Sequence, residues 1–200
     1  MDQFKDDEQL RCEGKLRYNG KIYGRVSGVI RPFSDFSRID PNVLANKARI
    51  GTEVHAAIAD DINGDFGVVG ADGKGYFDSY LKWKEALNPV FSQSEMRYFC
   101  DDKMLTGQID CLAYLSSGIN LPALIDFKTS AQESKETWEM QAHLYNYLLA
   151  KNGITVALTY RFVKLDKNGA LPKVFCYLWN DKINSKCMKA IDNFWINGKK

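Results

Sequence analysis

Leu124-Ile125-Asp126-Phe127-Lys128-Thr129 is the stretch on which the reading of this chain turns. It closes an apolar run from Leu121 that reads as a short strand turning polar at its end. Strand period 2 puts Asp126 and Lys128 on one face, about 6–7 Å apart along the chain. A carboxylate in that position can hold a hard divalent ion. An ammonium beside it can orient a water, help to deprotonate it, or offset charge on a phosphate. Either group buried alone is costly, and an isolated Asp-x-Lys pair is more often a structural ion pair at a strand end.

The neighbouring elements add three further pieces. Residues 90–99 alternate as a strand, Asp101-Asp102-Lys103 is a turn, and residues 104–115 pair back as the next strand. That second strand carries Gly107-Gln108-Ile109-Asp110, so Asp110 is a partner acid for Asp126 across a short return. Downstream, Lys135 to Asn152 is an amphipathic helix closed by Asn152-Gly153. Gln141 and Tyr145 lie at i and i+4 on one of its faces; His143 falls off that face and reads as surface. Upstream, Asp40-Pro41 starts a helix with Asp as N-cap and Pro at the first helical position. Its stripe of Ala48, Gly51, Ile58 and Ile62 carries His55 inward and ends near Asn63-Gly64. An inward histidine is commonly satisfied in a core, yet neutral imidazole is also a good ligand for an ion such as Mn²⁺.

The remaining elements are plainer. Residues 15–30 read as a short hairpin or irregular strand pair, and 65–73 as a glycine-rich loop. A second helix runs over about 75–87 with Tyr76, Tyr80 and Trp83, side chains suited either to the core or to stacking on a displaced base. Val156–Lys164 and Val174–Trp179 are strands, and Asp181–Phe194 is a closing helix. The order is α-β-β-β-α-β with additions at both ends.

Taken together, these pieces resemble the RecB-like, lambda-type exonuclease branch of the PD-(D/E)xK nuclease superfamily. The matched elements occur in the family's order: Gly51–His55, Gly107–Asp110, Asp126–Lys128 and Gln141–Tyr145. The resemblance spans roughly residues 50 to 160. It implies an α/β fold with a mixed central sheet flanked by helices, the restriction-endonuclease-like arrangement, in one domain spanning residues 1–200 with its core at about 40–165. It implies that His55, Asp110, Asp126 and the Phe127 carbonyl hold one or two Mg²⁺ or Mn²⁺ ions, and that Lys128 assists catalysis with Gln141 and Tyr145 as the branch-specific pair. Glu95 stands where some members place a further acid. Members with an iron–sulfur cluster carry one cysteine early and three late, which Cys12, Cys100, Cys111, Cys176 and Cys187 do not match, so no cluster is expected.

Composition narrows the rest. An apolar fraction of 45% supports a proper core and excludes a disordered chain. No apolar run approaches the ~18 residues a membrane span requires. The acidic, polar start lacks the form of a secretory signal, so the cytosol is the expected compartment. The cysteines show no zinc spacing and read as reduced thiols. Net charge is only +2, but residues 11–50 hold nine basic residues against three acidic ones, whereas 51–78 hold six acidic against one basic. A basic segment beside an acidic one suits phosphate contact flanking a metal site; Arg31, Arg38, Lys47 and Arg49 are the DNA-contact candidates.

No Gly-x-x-x-x-Gly-Lys-[Ser/Thr] occurs. The expected activity is therefore a stand-alone, metal-dependent DNA exonuclease that leaves 5′-phosphates, in recombination, repair or end processing and suited to a phage or mobile element. Such an enzyme would use a homo-oligomer or an annealing protein for processivity. The alternatives are a structure-selective or restriction-type endonuclease on the same site, and a catalytically silent DNA-binding or inhibitor protein of the same fold.

Overall fold

A computed structural model describes residues 7–35, 39–115, 120–131 and 133–197. In chain order the elements are α1 (Glu8–Cys12), β1 (Lys15–Tyr18), β2 (Lys21–Arg25), α2 (Val26–Ile30), α3 (Pro41–Asn63), α4 (Ala71–Leu87), β3 (Val90–Cys100), β4 (Leu105–Tyr114), β5 (Ala123–Lys128), α5 (Lys135–Lys151), β6 (Thr159–Lys164), β7 (Lys173–Leu178) and α6 (Asp181–Asn197). Among the described residues, seven strands form one mixed sheet with helices on both faces.

The local chemistry explains where the site helices begin and end. Asp40 caps α3 by accepting from the Asn42 and Val43 N–H groups, Pro41 occupies the first turn, and Gly64 closes the helix in the left-handed region. Helix α4 starts at Ala71, earlier than its apolar pattern indicates. Its first turns hold Gly73 and Gly75, poor helix formers that mask the start. Close approach demands Gly75, where a Cβ would lie 1.8 Å from the Lys167 carbonyl oxygen, and favours Gly73, where one would lie a tight 3.2 Å from Val54. The expected strand pair over 15–30 is also shorter than the pattern implied. Residues 26–30 turn helical, which buries Val26, Val29 and Ile30 at i, i+3 and i+4. Gly28 fits against Gly14, where a Cβ would clash at 2.5 Å.

Sheet topology sets the site. One edge of β4 is held by β3 along its length, from Cys100–Leu105 to Val90–Tyr114. Its other edge is shared between two partners: β2 pairs with Leu105 and Thr106, and β5 with Cys111 to Ala113. The sheet therefore forks along residues 107–110 of β4. Beyond the fork, β5 runs parallel to β6, and β6 antiparallel to β7.

Two cores flank this sheet. Leu105, Ile109, Leu112, Leu124 and Phe162 pack with α2, α5 and α6. Cys111, Ile125, Phe127 and Val163 pack with α3 and α4. Tyr80 and Trp83 are buried there, each edge-on to the Phe127 ring at 5.3 and 5.4 Å, so they support the site strand from beneath instead of stacking on a base. Burying Leu124, Ile125 and Phe127 contributes about 1.5–3 kcal/mol each, which offsets the cost of burying Asp126 between them.

His143 is fully buried, not on the surface. The β7–α6 connection covers its side of α5, a tertiary contact that helical periodicity does not reveal. Nδ1 donates to the Glu139 carbonyl at 2.7 Å, Nε2 accepts from the Asn180 N–H at 3.0 Å, and Trp179 packs against the ring. Burial holds its pKa below the usual value, in keeping with a neutral ring that donates once and accepts once.

The glycine of Gly107–Asp110 has a specific reason. A Cβ there would lie 2.7 Å from Tyr145 Cε1 and 2.9 Å from Leu148 Cδ1, so α5 closes over the fork only because position 107 is bare. Gly107→Ala should cost about 1–3 kcal/mol by overpacking, read as a lowered midpoint in urea unfolding; an unchanged midpoint would show that α5 does not need this contact.

Candidate active site

The buried end of β5 begins the site. Asp126 is 1% exposed. Its Oδ1 accepts from Gln141 Nε2 at 2.8 Å, and its Oδ2 forms an ion pair with Lys128 Nζ. Lys128 Nζ also donates to Gln141 Oε1 at 2.8 Å and lies 5.3 Å from the Phe162 ring centroid. Gln141 spends its second N–H on the Tyr145 hydroxyl at 3.0 Å. The amide orientation is settled by its partners, because an ammonium only donates and a carboxylate only accepts.

Asp110 stands one step beyond the last β4–β5 pair, Cys111–Ile125. Its Oδ2 accepts from the Phe127 N–H at 2.7 Å and lies 3.3 Å from His55 Nδ1. The carboxylate thus takes the place of a backbone acceptor where the sheet forks. Glu95 Oε1 reaches the same imidazole nitrogen at 3.6 Å. Glu95 has φ 49 in the middle of β3, between the pairs Ser94–Cys111 and Met96–Ile109. A non-glycine residue in the left-handed region costs about 1–3 kcal/mol and marks a place where geometry serves more than stability.

His55 arrives from α3, which approaches closely because Gly51 lies against Thr129 Oγ1, 3.2 Å from where a Cβ would be. His55, Glu95 and Asp110 offer ligand atoms within 4.8 Å of one another. An imidazole with two carboxylates is a donor set that can hold a divalent metal ion. Asp126 is outside this group of three, held by Gln141 and Lys128 on the adjoining side. Glu95, a candidate acid from the sequence, lies beside the imidazole with Asp110. Gln108 stands inside the Gly107–Asp110 motif but had no role assigned from the sequence. Strand alternation placed it on the face of Asp110, and this was the signal that could have found it.

The charges show strain that a cation would relieve. Burial and then the neighbouring Asp110 push the Asp126 carboxyl up to about 7. Burial also disfavours charge on Asp110, but His55 and Lys128 outweigh it and hold that carboxyl low. Burial works against a charged His55, yet Asp110 and Glu95 raise its pKa well above the usual value.

Clefts open on both sides of the cluster. One, of about 580 Å³, is lined by Lys47, Thr52, His55, Glu95, Gln108 and Thr129. The other, of about 760 Å³, runs from Lys128 and Gln141 past Trp138 to Ser27, Arg31 and Ser34. Of the four basic candidates, Lys47 and Arg31 line these clefts, Arg31 also donating to the Cys12 carbonyl. Arg49 is engaged by Asn46, Glu53 and Asp72, and Arg38 lies outside the described residues.

No protein-family model matches the chain, and no curated protein matches it. Among solved structures, the chain is similar to LHK-Exo in complex with dAMP, at a TM-score of 0.51 and 12% identity over 96% of this chain and 92% of that one. The chain shares its fold with an exonuclease. A second structure of LHK-Exo, an alkaline exonuclease from Laribacter hongkongensis, matches at a TM-score of 0.49 and 10% identity over 88% and 87% of the two chains. SSO0001 matches at 0.44 and 13% over 84% and 73%. Among the described residues, no helix is long and apolar enough to cross a membrane.

A cation entering this cluster must compete with protons. His55 has to lose its proton to serve as a ligand, and Asp126 favours its charged form only once positive charge is nearby. Both groups hold protons more tightly than their unfolded counterparts, so Mn²⁺ affinity should be weaker at pH 6 than at pH 8. Calorimetry at the two pH values, in buffers of different ionisation enthalpy, measures both the affinity and the protons released. The slope should be shallower in Asp126→Asn, and a pH-independent affinity would contradict this charge arrangement.

Proposed function

We propose that the protein is a metal-dependent DNA exonuclease that hydrolyses phosphodiester bonds and leaves 5′-phosphates, working as one nuclease domain. The observation that carries this reading is the meeting of His55, Glu95 and Asp110 with the Asp126–Lys128–Gln141 triad at one fork in the sheet, between two clefts. Further support comes from the shared fold with LHK-Exo and from the dAMP in that protein's crystal structure.

Phosphodiesters resist water because the attacking oxygen and the phosphate are both electron-rich. One or two Mg²⁺ or Mn²⁺ ions, held by His55, Asp110, Asp126, the Phe127 carbonyl and Glu95, would supply the positive charge that offsets this repulsion. Lys128 orients the attacking water, and its ammonium is kept in place by Asp126 and Gln141. Water oxygen bonds to phosphorus, the bond from phosphorus to the 3′ oxygen breaks, and the proton passes to the leaving oxygen through solvent. Tyr145 acts through Gln141, whose amide it helps to orient. Lys47 and Arg31 meet phosphates along the two clefts; Arg49 is already committed to Glu53 and Asp72.

End-labelled linear duplex and single strands, incubated with Mg²⁺ or Mn²⁺, should release nucleotides carrying 5′-phosphates, and EDTA should stop the release. A closed circle should remain intact; cutting of the circle would replace this reading with an endonuclease on the same site. Lys128→Ala should lower turnover by at least about 10²-fold while the circular dichroism spectrum stays unchanged. Turnover near the parent value in that variant would remove Lys128 from the mechanism, and no cleavage of any substrate by the parent protein would favour a silent DNA-binding role.

A further inference from the structure

Two glutamines flank the cluster, and they are wired in the same way. Lys128 donates to Gln141 Oε1, and Gln141 Nε2 donates to Asp126. On the opposite side, Arg97 Nη2 donates to Gln108 Oε1, and Gln108 Nε2 donates to Glu95 Oε2 at 2.5 Å. Each is a cation, an amide and a carboxylate in series. The first belongs to the motifs already described. The second lies on β3 and β4, where Arg97 and Gln108 are cross-strand partners and Glu95 has the left-handed backbone that turns it toward His55.

We infer that Arg97 and Gln108 are positioning residues that hold Glu95 as a one-oxygen donor to the cation site. A guanidinium has no acceptor, so it admits only the amide oxygen of Gln108. The NH₂ group must then face Glu95, and it engages Oε2. Oε1 is left on the side of His55 and Asp110. Without Arg97 the amide is free to flip and present its oxygen to a carboxylate, which repels Glu95 from that position. Without Gln108 the carboxylate rotates freely and its ordering must be supplied by the ion itself. Both residues are partly buried, and Gln108 lines the cleft beside His55 and Glu95, so the series is close enough to the cluster to control it. The inference rests on the metal-site reading above.

Calorimetric titration of the 200-residue chain with Mn²⁺ tests it without any need for turnover. Gln108→Met keeps the length and removes the donor. It should weaken Mn²⁺ binding about 10–100-fold, the scale for losing an outer hydrogen-bond partner of a metal ligand. In a Glu95→Gln background the same change should add less than about twofold, because the group it positions is already altered. Arg97→Met acts on Glu95 through an unsubstituted Gln108 and should also weaken binding, which keeps the test open if Gln108→Met fails to fold. Unfolding midpoints in EDTA report folding for every variant. Parent-like binding by both single variants would overturn the positioning role alone. So would an undiminished loss in the Glu95→Gln background, which would mean that Gln108 acts through the fold. A parent protein that binds no Mn²⁺ would overturn the metal site and the positioning role together.

Discussion

A strand has two hydrogen-bonding edges, and everything in this molecule depends on how β4 uses its second one. Its first edge belongs to β3; its second is divided between β2 at Leu105–Thr106 and β5 at Cys111–Ala113. Buried backbone groups left between two diverging strands must find partners. Here the Phe127 N–H finds the Asp110 carboxylate, and Tyr145 and Leu148 close over Gly107. The fork thus does two things at once. It makes room for side chains inside a sheet, and it obliges at least one of them to be an acceptor.

Polar groups gathered in such a place are expensive unless each is answered. Three carboxylates and an imidazole meet Lys128 and Arg97, and two glutamines pass the positive charge on as directed hydrogen bonds. An amide spanning a cation and an anion is satisfied at both ends, which is why it can be partly buried without penalty. The arrangement remains short of positive charge all the same. Asp126 holds its proton up to about neutrality, and Glu95 keeps an unfavourable backbone. The supporting layer is apolar and rigid: Tyr80 and Trp83 beneath Phe127, with Leu124, Ile125 and Phe162 around it.

Much of this was legible along the chain wherever the physics is local. The Asp40-Pro41 start and Gly64 end of α3 are capping chemistry. Asp126 with Lys128, and Gln141 with Tyr145, share faces because strand and helix periods say so, and their side chains do meet. What escaped was non-local. Gly73 looked like loop because its value as a close-contact position depends on Val54, from another helix. Residues 26–30 and His143 were misplaced because the packing of α2, and the cover over α5, come from distant segments.

By itself, then, the sequence determined most of the periodic elements, the ends of α3, and which polar side chains could share a face. Each of these follows from bond geometry and from hydrogen bonds within a few residues. Only the tertiary structure decided that Glu95 would turn toward His55, that Gln108 would be locked between Arg97 and Glu95, and that Asp110 would stand in for a strand. Those outcomes depend on the point at which β5 leaves β4, a balance of packing on both faces of the sheet that no single segment contains.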